Sequence, residues 1–465
     1  MTAINREYRD FLDKKAVKAP MRGLRTVPNL APHLFPFQIH SVEHALRAGA
    51  GGLFLDTGLG KTECQLEWAQ KALEATNGRA LILTPLAVAG QTKRRADRWG
   101  YEARVIRDQS EAGRGINICN YDRAHLLDTA YFGAVALDEA SILKSFNGKV
   151  RSTLTEAFRG CRFKLVATAT PAPNDHMELG NYADFLEIMA VNEMLSRWFI
   201  NDTSTASQEW RLKGHAETDF WDWMASWSRM ASLPSDLGDK DDGFILPEFE
   251  LRRHKAEETQ IIGLDDGLFA DIRMSATSLH DVKRQTADAR AEAVAGIVAA
   301  EPDEARILWC DTNYEASALV EAISTAQEIS GAMSIDEKEE RLAAFETGEI
   351  KHLVAKPSMC GFGLDWSHCA RMAFVGRSYS YETYYQAVRR CWRFGQKRTV
   401  KVDLVIAEGE DTISRVIDRK QAGHAKMKDA MREAMRRAKG TEAITKTVYE
   451  PRHKGSAPAW LRSVA

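Results

Sequence analysis

The chain has 465 residues, of which 44% are hydrophobic and 28% are charged. This length predicts roughly three globular units, and the hydrophobic content excludes a disordered chain. Lys and Arg total 63 against 65 Asp and Glu, so the formal net charge is -2. That balance excludes a globally basic nucleic-acid-binding protein and leaves only local basic surfaces as candidates.

Cysteine usage and hydropathy indicate the compartment. The seven cysteines are widely spaced and include no C-x-x-C pair, which disfavours a disulfide framework or a zinc ribbon. The N-terminal segment lacks the apolar core of a signal peptide, and no apolar run approaches the ~18 residues of a membrane span. We therefore expect a soluble, cytoplasmic protein with no membrane partner.

Short apolar runs alternate with helix-like segments in two parts of the chain, which predicts an α/β fold with two parallel sheets. The predicted strands are 52–55, 80–84, 116–119, 134–137 and 163–167, then 306–310, 352–355, 371–375 and 400–406. The expected organisation is an N-terminal arm (1–30), a first lobe (31–189), a helical insertion (190–245), a return strand and linker (246–275), a second lobe (276–410) and a basic helical extension (411–465).

The segment between the blocks is rich in tryptophan and has few strand-like runs, so it predicts a mostly helical insertion. Its five tryptophans are Trp198, Trp210, Trp221, Trp223 and Trp227. Exposed rings could stack on bases, but burial is favoured because large aromatic side chains stabilise most when packed. After an Asp/Gly-rich loop, residues 248–254 predict one more strand that returns to the first block.

A glycine-rich turn follows the first predicted strand and precedes a helix. It reads Gly-Leu-Gly-Lys-Thr from Gly58 to Thr62, although Leu55 stands where a phosphate loop has its first glycine. Such a loop wraps phosphates with backbone N–H groups, places a lysine charge on them and offers a hydroxyl to Mg²⁺. Lys61 and Thr62 fit these last two roles, and a chance turn is the alternative.

Two adjacent carboxylates, Asp138 and Glu139, end a later strand. A strand tip downstream of a phosphate loop suits a Mg²⁺ ligand beside a group that orients or deprotonates water. An acidic helix N-terminus is the alternative. Farther along, Arg390 and Arg393 are three residues apart, which predicts one shared helix face. They could stabilise a transferring phosphoryl group or simply form an exposed basic surface.

Two local basic segments accompany these motifs. Lys93, Arg94, Arg95 and Arg98 follow the second strand, and residues 415–439 carry nine Lys or Arg against three acidic side chains. Within that second segment Met427, Met431 and Met435 recur every four residues and predict an apolar helix face. We expect the helix to pack on the lobes through this face, with nucleic-acid contact as an additional possibility.

Taken together, the motifs resemble those of the superfamily II helicase-like motors, and most closely the Swi/Snf-type double-stranded DNA translocases. The matching segments, in order, are 35–46 (Q motif), 56–62 (I), 83–91 (Ia), 119–126, 138–141 (II), 168–175 (III), 307–312 (IV), 329–345, 360–369 (V) and 386–398 (VI). Ser141, Asp365 and Trp392 depart from the residues common in that family, and none of them removes a group needed for hydrolysis.

The resemblance implies two RecA-like lobes that bind ATP and Mg²⁺ between them. The implied catalytic residues are Lys61, Asp138, Glu139, Arg390 and Arg393. The implied ATP-binding residues are Phe37, Gln38, Thr57, Gly58, Leu59, Gly60, Lys61, Thr62, Gly363 and Asp365, with Thr62 and Asp138 on Mg²⁺. Nucleic-acid contacts are expected from Thr84, Pro85, Lys93, Arg94, Asn120, Thr168, Thr170, Gly361 and Phe362. Coupling between the two sites is expected from Ser141, Thr168 and Gln386.

The resemblance further implies an ATP hydrolase that moves along duplex DNA through backbone contacts, without sequence specificity. Its small size is typical of bacterial or bacteriophage members, so we expect a monomer acting in replication, recombination or repair in a bacterial or phage-infected cell. Two alternatives stay open at this point: an RNA helicase, and an ATP-gated nucleic-acid clamp that does not translocate. The sequence does not identify protein partners.

Overall fold

The computed structural model of the chain describes residues 17–85, 88–144, 148–172, 175–202, 209–256, 276–360, 366–406 and 411–445. Two parallel β-sheets with helices packed around them form two lobes, as the alternation of apolar runs predicted. The predicted α/β architecture is therefore confirmed. Its buried strands are short and almost continuously apolar, since a parallel sheet is covered on both faces.

The first lobe contains a seven-stranded sheet in the order β3-β4-β2-β5-β6-β1-β9. Its strands are β1 (Ala50–Leu55), β2 (Arg79–Thr84), β3 (Ala103–Val105), β4 (Gly115–Asn120), β5 (Ala134–Asp138), β6 (Phe163–Ala167) and β9 (Ser228–Ala231). Its helices up to the tryptophan-rich segment are α1 (Pro36–Ala48), α2 (Lys61–Glu74), α3 (Ala89–Trp99), α4 (Lys149–Ala157) and α5 (Glu178–Phe185). All described strand pairs in this sheet are parallel.

The second lobe contains a six-stranded parallel sheet in the order β10-β15-β14-β11-β13-β12. Its strands are β10 (Phe249–Lys255), β11 (Arg306–Trp309), β12 (Ala326–Ile329), β13 (His352–Ala355), β14 (Arg371–Phe374) and β15 (Val400–Ile406). Its helices are α8 (Ala276–Gln285), α9 (Ala287–Ala300), α10 (Asn313–Ala322), α11 (Ile335–Thr347), α12 (Pro357–Cys360) and α13 (Tyr381–Val388).

The strand predicted at 248–254 exists, but it does not return to the first block. As β10 it runs parallel to β15 at the edge of the second sheet, with Phe249 opposite Val400. The ring of Phe249 lies 4.8 Å from that of Trp392, which ties the strand to the second lobe. The edge of the first sheet beside β1 is taken instead by β9 from the tryptophan-rich segment.

That tryptophan-rich segment is less purely helical than predicted. Besides α6 (Val191–Trp198) and α7 (Glu217–Trp227), it contains an antiparallel hairpin of β7 (Phe199–Asp202) and β8 (Glu209–Leu212), followed by β9. The preference for buried rings is confirmed for Trp198, Trp221, Trp223 and Trp227, each at most 3% exposed. Trp210 is half-buried against the same core. The segment therefore extends the core of the first lobe.

The basic helix near the end of the chain is α14 (Asp411–Thr445). Ile413 and Ile417 in its first turns pack in the core of the second lobe, whereas Met427, Met431 and Met435 pack in the core of the first. The predicted methionine face is confirmed, and one helix connects the cores of both lobes. No helix in the described ranges has the length and apolarity needed to cross a membrane.

Candidate active site in the cleft between the lobes

The glycine-rich turn connects β1 to α2 at the wall of the cleft. Gly58 has a φ of 94° and Gly60 a φ of 75°, in the left-handed region that side chains rarely adopt. A Cβ atom on Gly58 would approach the backbone nitrogen of Phe394 to 2.9 Å, and one on Gly60 would overlap the side chain of Gln38. Glycine is therefore required at both positions, for conformation and for close approach.

Lys61 starts α2 and its side chain folds back along the turn. Its ammonium group donates a hydrogen bond of 3.1 Å to the carbonyl of Leu55, the residue that replaces the usual first glycine. The lysine is thereby held by backbone of its own lobe, and its charge lies at the mouth of the turn.

Asp138 is the last residue of β5, and its carboxylate is buried. One oxygen accepts a hydrogen bond of 2.7 Å from the side-chain amide of Gln65 on α2. Burial raises the pKa of Asp138, while Gln65 and the charge of Lys61 oppose that rise. The carboxylate is thus fixed against the helix that follows the glycine-rich turn, and a cation would stabilise its ionised form.

Glu139 has a φ of 50°, which is uncommon for a residue other than glycine and costs about 1–3 kcal/mol. Burial raises the pKa of its carboxyl group, Lys61 lowers it, and the charge of Asp138 raises it further. The hydroxyl of Thr168, just after β6, donates to it at 3.4 Å. A carboxylate in a cleft with a raised pKa suits a general base, and backbone strain of this kind concentrates at functional sites.

Residues of both lobes line one cavity of about 140 Å³. The first lobe contributes Lys61, Asp138 and Glu139, and the second contributes a group that consists of Gln386, Arg390 and Arg393. The amide of Gln386 is 4% exposed, and neither its nitrogen nor its oxygen has a hydrogen-bond partner among the described residues. A buried amide in this condition favours a polar ligand in the cavity.

The expected shared helix face of the two arginines is wrong, although both line the cavity. Helix α13 ends at Val388, and Arg390 lies in tighter turns in which N–H groups bond to the carbonyl three residues back. Gly395, with a φ of 95°, closes this turn before β15. The arginines thus project from a loop that bends toward the first lobe.

Asp56, directly before the glycine-rich turn, is bonded by side chains from beyond its own lobe. One oxygen lies 3.0 Å from the guanidinium of Arg389, the other accepts 2.7 Å from Lys428 on α14, and the Tyr385 hydroxyl also donates to Asp56. Burial alone would raise the pKa of Asp56, but Arg389 and Lys428 hold it far below the usual range. This buried group, which we call the Asp56 cluster, joins three elements at the cleft.

A second connection runs through Glu382 on α13. Its carboxylate accepts a hydrogen bond of 3.3 Å from the hydroxyl of Thr170 and pairs with Lys144, both on the first lobe. The hydroxyl of Thr168 accepts from the backbone N–H of Thr170 at 3.1 Å. A chain of polar contacts therefore leads from Glu139 through Thr168 and Thr170 to the second lobe.

Gln38, the expected reader of the adenine base, braces the glycine-rich turn from inside. Its amide nitrogen donates 2.9 Å to the carbonyl of Leu59, and its oxygen accepts 2.9 Å from the N–H of Phe35. The buried ring of Phe37 packs edge-on against Phe244, with centroids 5.4 Å apart.

The predicted nucleic-acid residues lie near the carboxyl ends of strands in the first sheet. Thr84 and Asn120 end β2 and β4, Pro85 follows Thr84, and Thr168 and Thr170 follow β6. On α3, the side chain of Lys93 pairs with that of Asp97 at 2.6 Å, and Arg94 is exposed. Ser141, the expected coupling residue, is buried in the turn after Glu139. Gly361, Phe362, Gly363 and Asp365 lie outside the described residues.

Sequence reasoning missed several residues of the cleft. They are Asp56, Gln65, Arg95, Glu382 and Lys428. Asp56 stands in the segment that resembles motif I, Arg95 lies in the basic segment that follows motif Ia, and Glu382 is four residues before Gln386. Lys428 is 372 residues from its partner Asp56, and no local pattern connects them.

Two parallel α/β lobes meet at a cleft, with the glycine-rich turn on one wall and the two arginines on the other. Residues 289–395 match the helicase conserved C-terminal domain, and that span includes Arg390 and Arg393. This match confirms the predicted helicase-like resemblance for the second lobe.

The chain is also similar to protein p41 of Acyrthosiphon pisum secondary endosymbiont phage 1. The two are 23% identical over 468 residues, covering 86% of this chain and 98% of the phage protein. Among solved structures, the Sulfolobus solfataricus SWI2/SNF2 ATPase core in complex with dsDNA matches at a TM-score of 0.41 and 16% identity. That match covers 92% of this chain and 99% of the other.

Proposed function

We propose that the protein is an ATP-dependent DNA translocase of the Swi/Snf type, which hydrolyses ATP between its lobes. The observation that carries the proposal is the shared cavity, where Lys61 and Glu139 of the first lobe face Arg390 and Arg393 of the second. Neither lobe holds all of these groups, so hydrolysis requires both lobes to be apposed. Opening and closing of the cleft can then drive motion.

The residues present fit ATP with Mg²⁺. Mg²⁺ prefers oxygen ligands and takes only one or two carboxylates beside phosphate oxygens. Thr62 and Asp138, which both line the cavity, provide a hydroxyl and a carboxylate. When bound, Mg²⁺ would neutralise charge on the β- and γ-phosphates.

Residues of the chain itself would bind the phosphates, activate the attacking water and stabilise the transferring phosphoryl group. Backbone N–H groups around Gly58 and Gly60 and the charge of Lys61 bind the phosphates. Glu139 orients the attacking water and accepts its proton, which its raised pKa favours near neutral pH. Arg390 and Arg393 stabilise the negative charge of the transferring phosphoryl group.

Hydrolysis would reach the nucleic acid through the contacts that join the lobes. Thr168 touches Glu139 and lies beside Thr170, which bonds to Glu382 of the second lobe. A change in the charge or position of Glu139 would therefore alter the hydrogen bonds that join the two lobes. Pro85 and Asn120, which are partly exposed at the strand ends, would hold the DNA backbone, whereas Thr84 is fully buried. Binding should depend strongly on salt and weakly on sequence.

The motif VI ending, Arg393 to Gln396, supports duplex DNA as the substrate because it resembles the Swi/Snf-type motors. The similarity to a phage protein fits the expected bacterial or phage setting, and the role in replication, recombination or repair rests on the motif resemblance. An ATP-gated clamp is a second candidate. Helix α14 favours it because Ile413 and Ile417 are buried in the core of the second lobe and Met427, Met431 and Met435 in that of the first, which would restrain lobe motion.

ATPase rates with duplex DNA, single-stranded DNA and single-stranded RNA test the proposal. We expect strong stimulation by duplex DNA, which Lys61→Ala abolishes. Displacement of a third strand from a DNA triplex then separates movement from clamping. Stimulation by RNA alone would replace the proposal with an RNA helicase, and ATPase without triplex displacement would favour the clamp.

A further inference from the structure

The first half of α14 carries a row of exposed cations. Arg415, Arg419 and Lys426 are all exposed, and at ~3.6 residues per turn they lie within about 40° of one another around the helix. At a rise of ~1.5 Å per residue they span about 16 Å. We call these three residues the α14 stripe. It points roughly opposite to Ile417 and Met431, which are buried in the cores of the two lobes.

The α14 stripe has no counter-charge of its own. None of its three cations has an ion-pair partner in the part of the chain that the structure describes, because the acidic side chains of this helix segment are engaged elsewhere. Asp418 pairs with Arg253 of β10, Asp429 with Arg432, and Glu433 with Arg437. Like charges one turn apart, as at Arg415 and Arg419, destabilise a helix. A local cost without local compensation points to an anion from outside the chain.

The positive surface continues from the second lobe to the first. Lys420, next to Arg419, donates a hydrogen bond of 3.3 Å to the carbonyl of Tyr379 in the second lobe. Burial is the main cause of the lowered pKa of Lys420; Glu178 opposes the shift, and the charges of Arg419 and of Lys144 in the first lobe add to it. Cations of α14 and of the first lobe therefore lie close together where the helix crosses the junction.

The composition of this face suits a phosphate backbone better than a protein partner. Between Arg419 and Lys426 the exposed residues include Ala422, Gly423 and Ala425. No large apolar side chain is exposed on α14 within its described positions. Protein interfaces are centred on apolar or aromatic residues, whereas arginine and lysine hold nucleic acids through their phosphates. The small residues also leave room for a sugar-phosphate backbone to approach the helix.

We infer that the α14 stripe binds the phosphate backbone of duplex DNA outside the cleft, in addition to the contacts proposed at the strand ends. The inference rests on the proposed function, which makes duplex DNA the substrate. Because α14 packs in the cores of both lobes, the stripe would hold the DNA while the cleft opens and closes. Its role is retention of the DNA between steps, and it takes no part in hydrolysis.

The test is fluorescence anisotropy of a labelled DNA duplex with the full chain at a series of salt concentrations, together with the ATPase rate. In the triple variant Arg415→Gln, Arg419→Gln, Lys426→Gln we expect the slope of log affinity against log salt concentration to flatten by about 2–3. The Kd near physiological salt should rise about tenfold. The kcat at saturating DNA should stay within about twofold, because the stripe does not touch the ATP site.

Two further variants control for net charge and for folding. The triple variant Arg47→Gln, Arg159→Gln, Lys351→Gln removes the same charge from exposed residues that each pair with an acidic neighbour, and it should leave the salt slope unchanged. Ala422→Lys removes no contact and adds a fourth cation within the stripe. It should steepen the slope by about 1 and tighten DNA binding.

An unchanged slope and Kd in the stripe variant, with no gain in Ala422→Lys, would overturn the inference. An equal loss of DNA binding in the control variant would also overturn it, because only net charge would then matter. Both results would leave the proposed function intact. Failure of that function would show separately, in the unmodified chain, as an ATPase rate that duplex DNA does not stimulate.

Discussion

The two walls of the cleft differ in what holds their charged groups. On the first lobe, Lys61 bonds to Leu55 and Asp138 to Gln65, and all four residues belong to that lobe. On the second lobe, the segment that carries Arg390 and Arg393 is held to the first lobe. Arg389 and Tyr385 of the second lobe contact Asp56 of the first. Glu382 of the second lobe contacts Thr170 and Lys144 of the first.

This difference indicates that the first lobe is a preorganised half-site, whereas the segment that carries the arginines gains additional contacts when the lobes are docked. A preorganised wall lowers the cost of binding the transition state. A wall that depends on docking makes hydrolysis conditional on lobe apposition, which a motor requires. Substitutions on the two walls should therefore have different effects on the ATPase rate and on stability.

The largest expected effect is on the first wall. Glu139→Gln should lower kcat by about 10²–10⁴-fold, because glutamine cannot accept the proton from water. It should also raise the melting temperature. A carboxyl whose pKa is raised in the folded state opposes folding at pH values above its unfolded pKa, and glutamine removes that cost.

Kinetics and thermal unfolding at pH 7.5 check both parts of this prediction. Glu156→Gln, on an exposed residue of α4, is the matched control and should leave both quantities unchanged. Hydrolysis at the original rate in Glu139→Gln would remove Glu139 from the mechanism.

The Asp56 cluster should show an intermediate effect that combines stability and rate. Asp56→Asn leaves Arg389 and Lys428 buried without their anion, and breaking a buried pair in this way costs about 3–5 kcal/mol. The ATPase rate should fall about tenfold, because the arginine loop loses its attachment. Urea unfolding followed at several pH values provides the measurement.

The sign of the pH dependence follows from the depressed pKa of Asp56. Its contribution to stability is complete above the unfolded pKa of about 4 and is lost only as the pH falls through the lower folded pKa. The stability difference from Asp56→Asn should therefore be constant between pH 5 and pH 8. Adding Lys428→Met should restore part of the loss, since it removes one of the stranded charges.

The smallest expected effect concerns Glu382, and its readout is a pH profile. Burial is the main cause of the raised pKa of Glu139, and the charge of Glu382 adds to it. In Glu382→Gln the acidic limb of the kcat profile should shift to lower pH, with kcat itself falling only about threefold. A fall in kcat with an unmoved acidic limb would show that Glu382 acts only as an interface contact.

The sequence predicted the half-site of the first lobe better than that of the second. Lys61, Asp138 and Glu139 sit in local patterns of strand, turn and helix, and local backbone preferences position them. The arrangement of Arg390 and Arg393 was mispredicted as a helix face because the turn after Val388 depends on tertiary contacts. The Asp56 cluster unites residues up to 372 positions apart, which no local spacing encodes.

The sequence predicted the edge strands of the two sheets less accurately than the central strands. The segment 248–254 was recognised as a strand, but apolar alternation does not say which sheet an edge strand joins. The strand β9 was missed because it follows α7 directly and is only four residues long. The burial of the tryptophans followed correctly from their size.

The helix α14 has a consequence for how the protein is made. Met427, Met431 and Met435 complete a core whose other members lie almost entirely before residue 245, so part of that core stays uncovered until the ribosome has synthesised α14. Contacts of such long sequence separation slow folding and leave apolar surface exposed in the meantime. The first lobe should therefore depend on chaperones during synthesis more than its compact final form suggests.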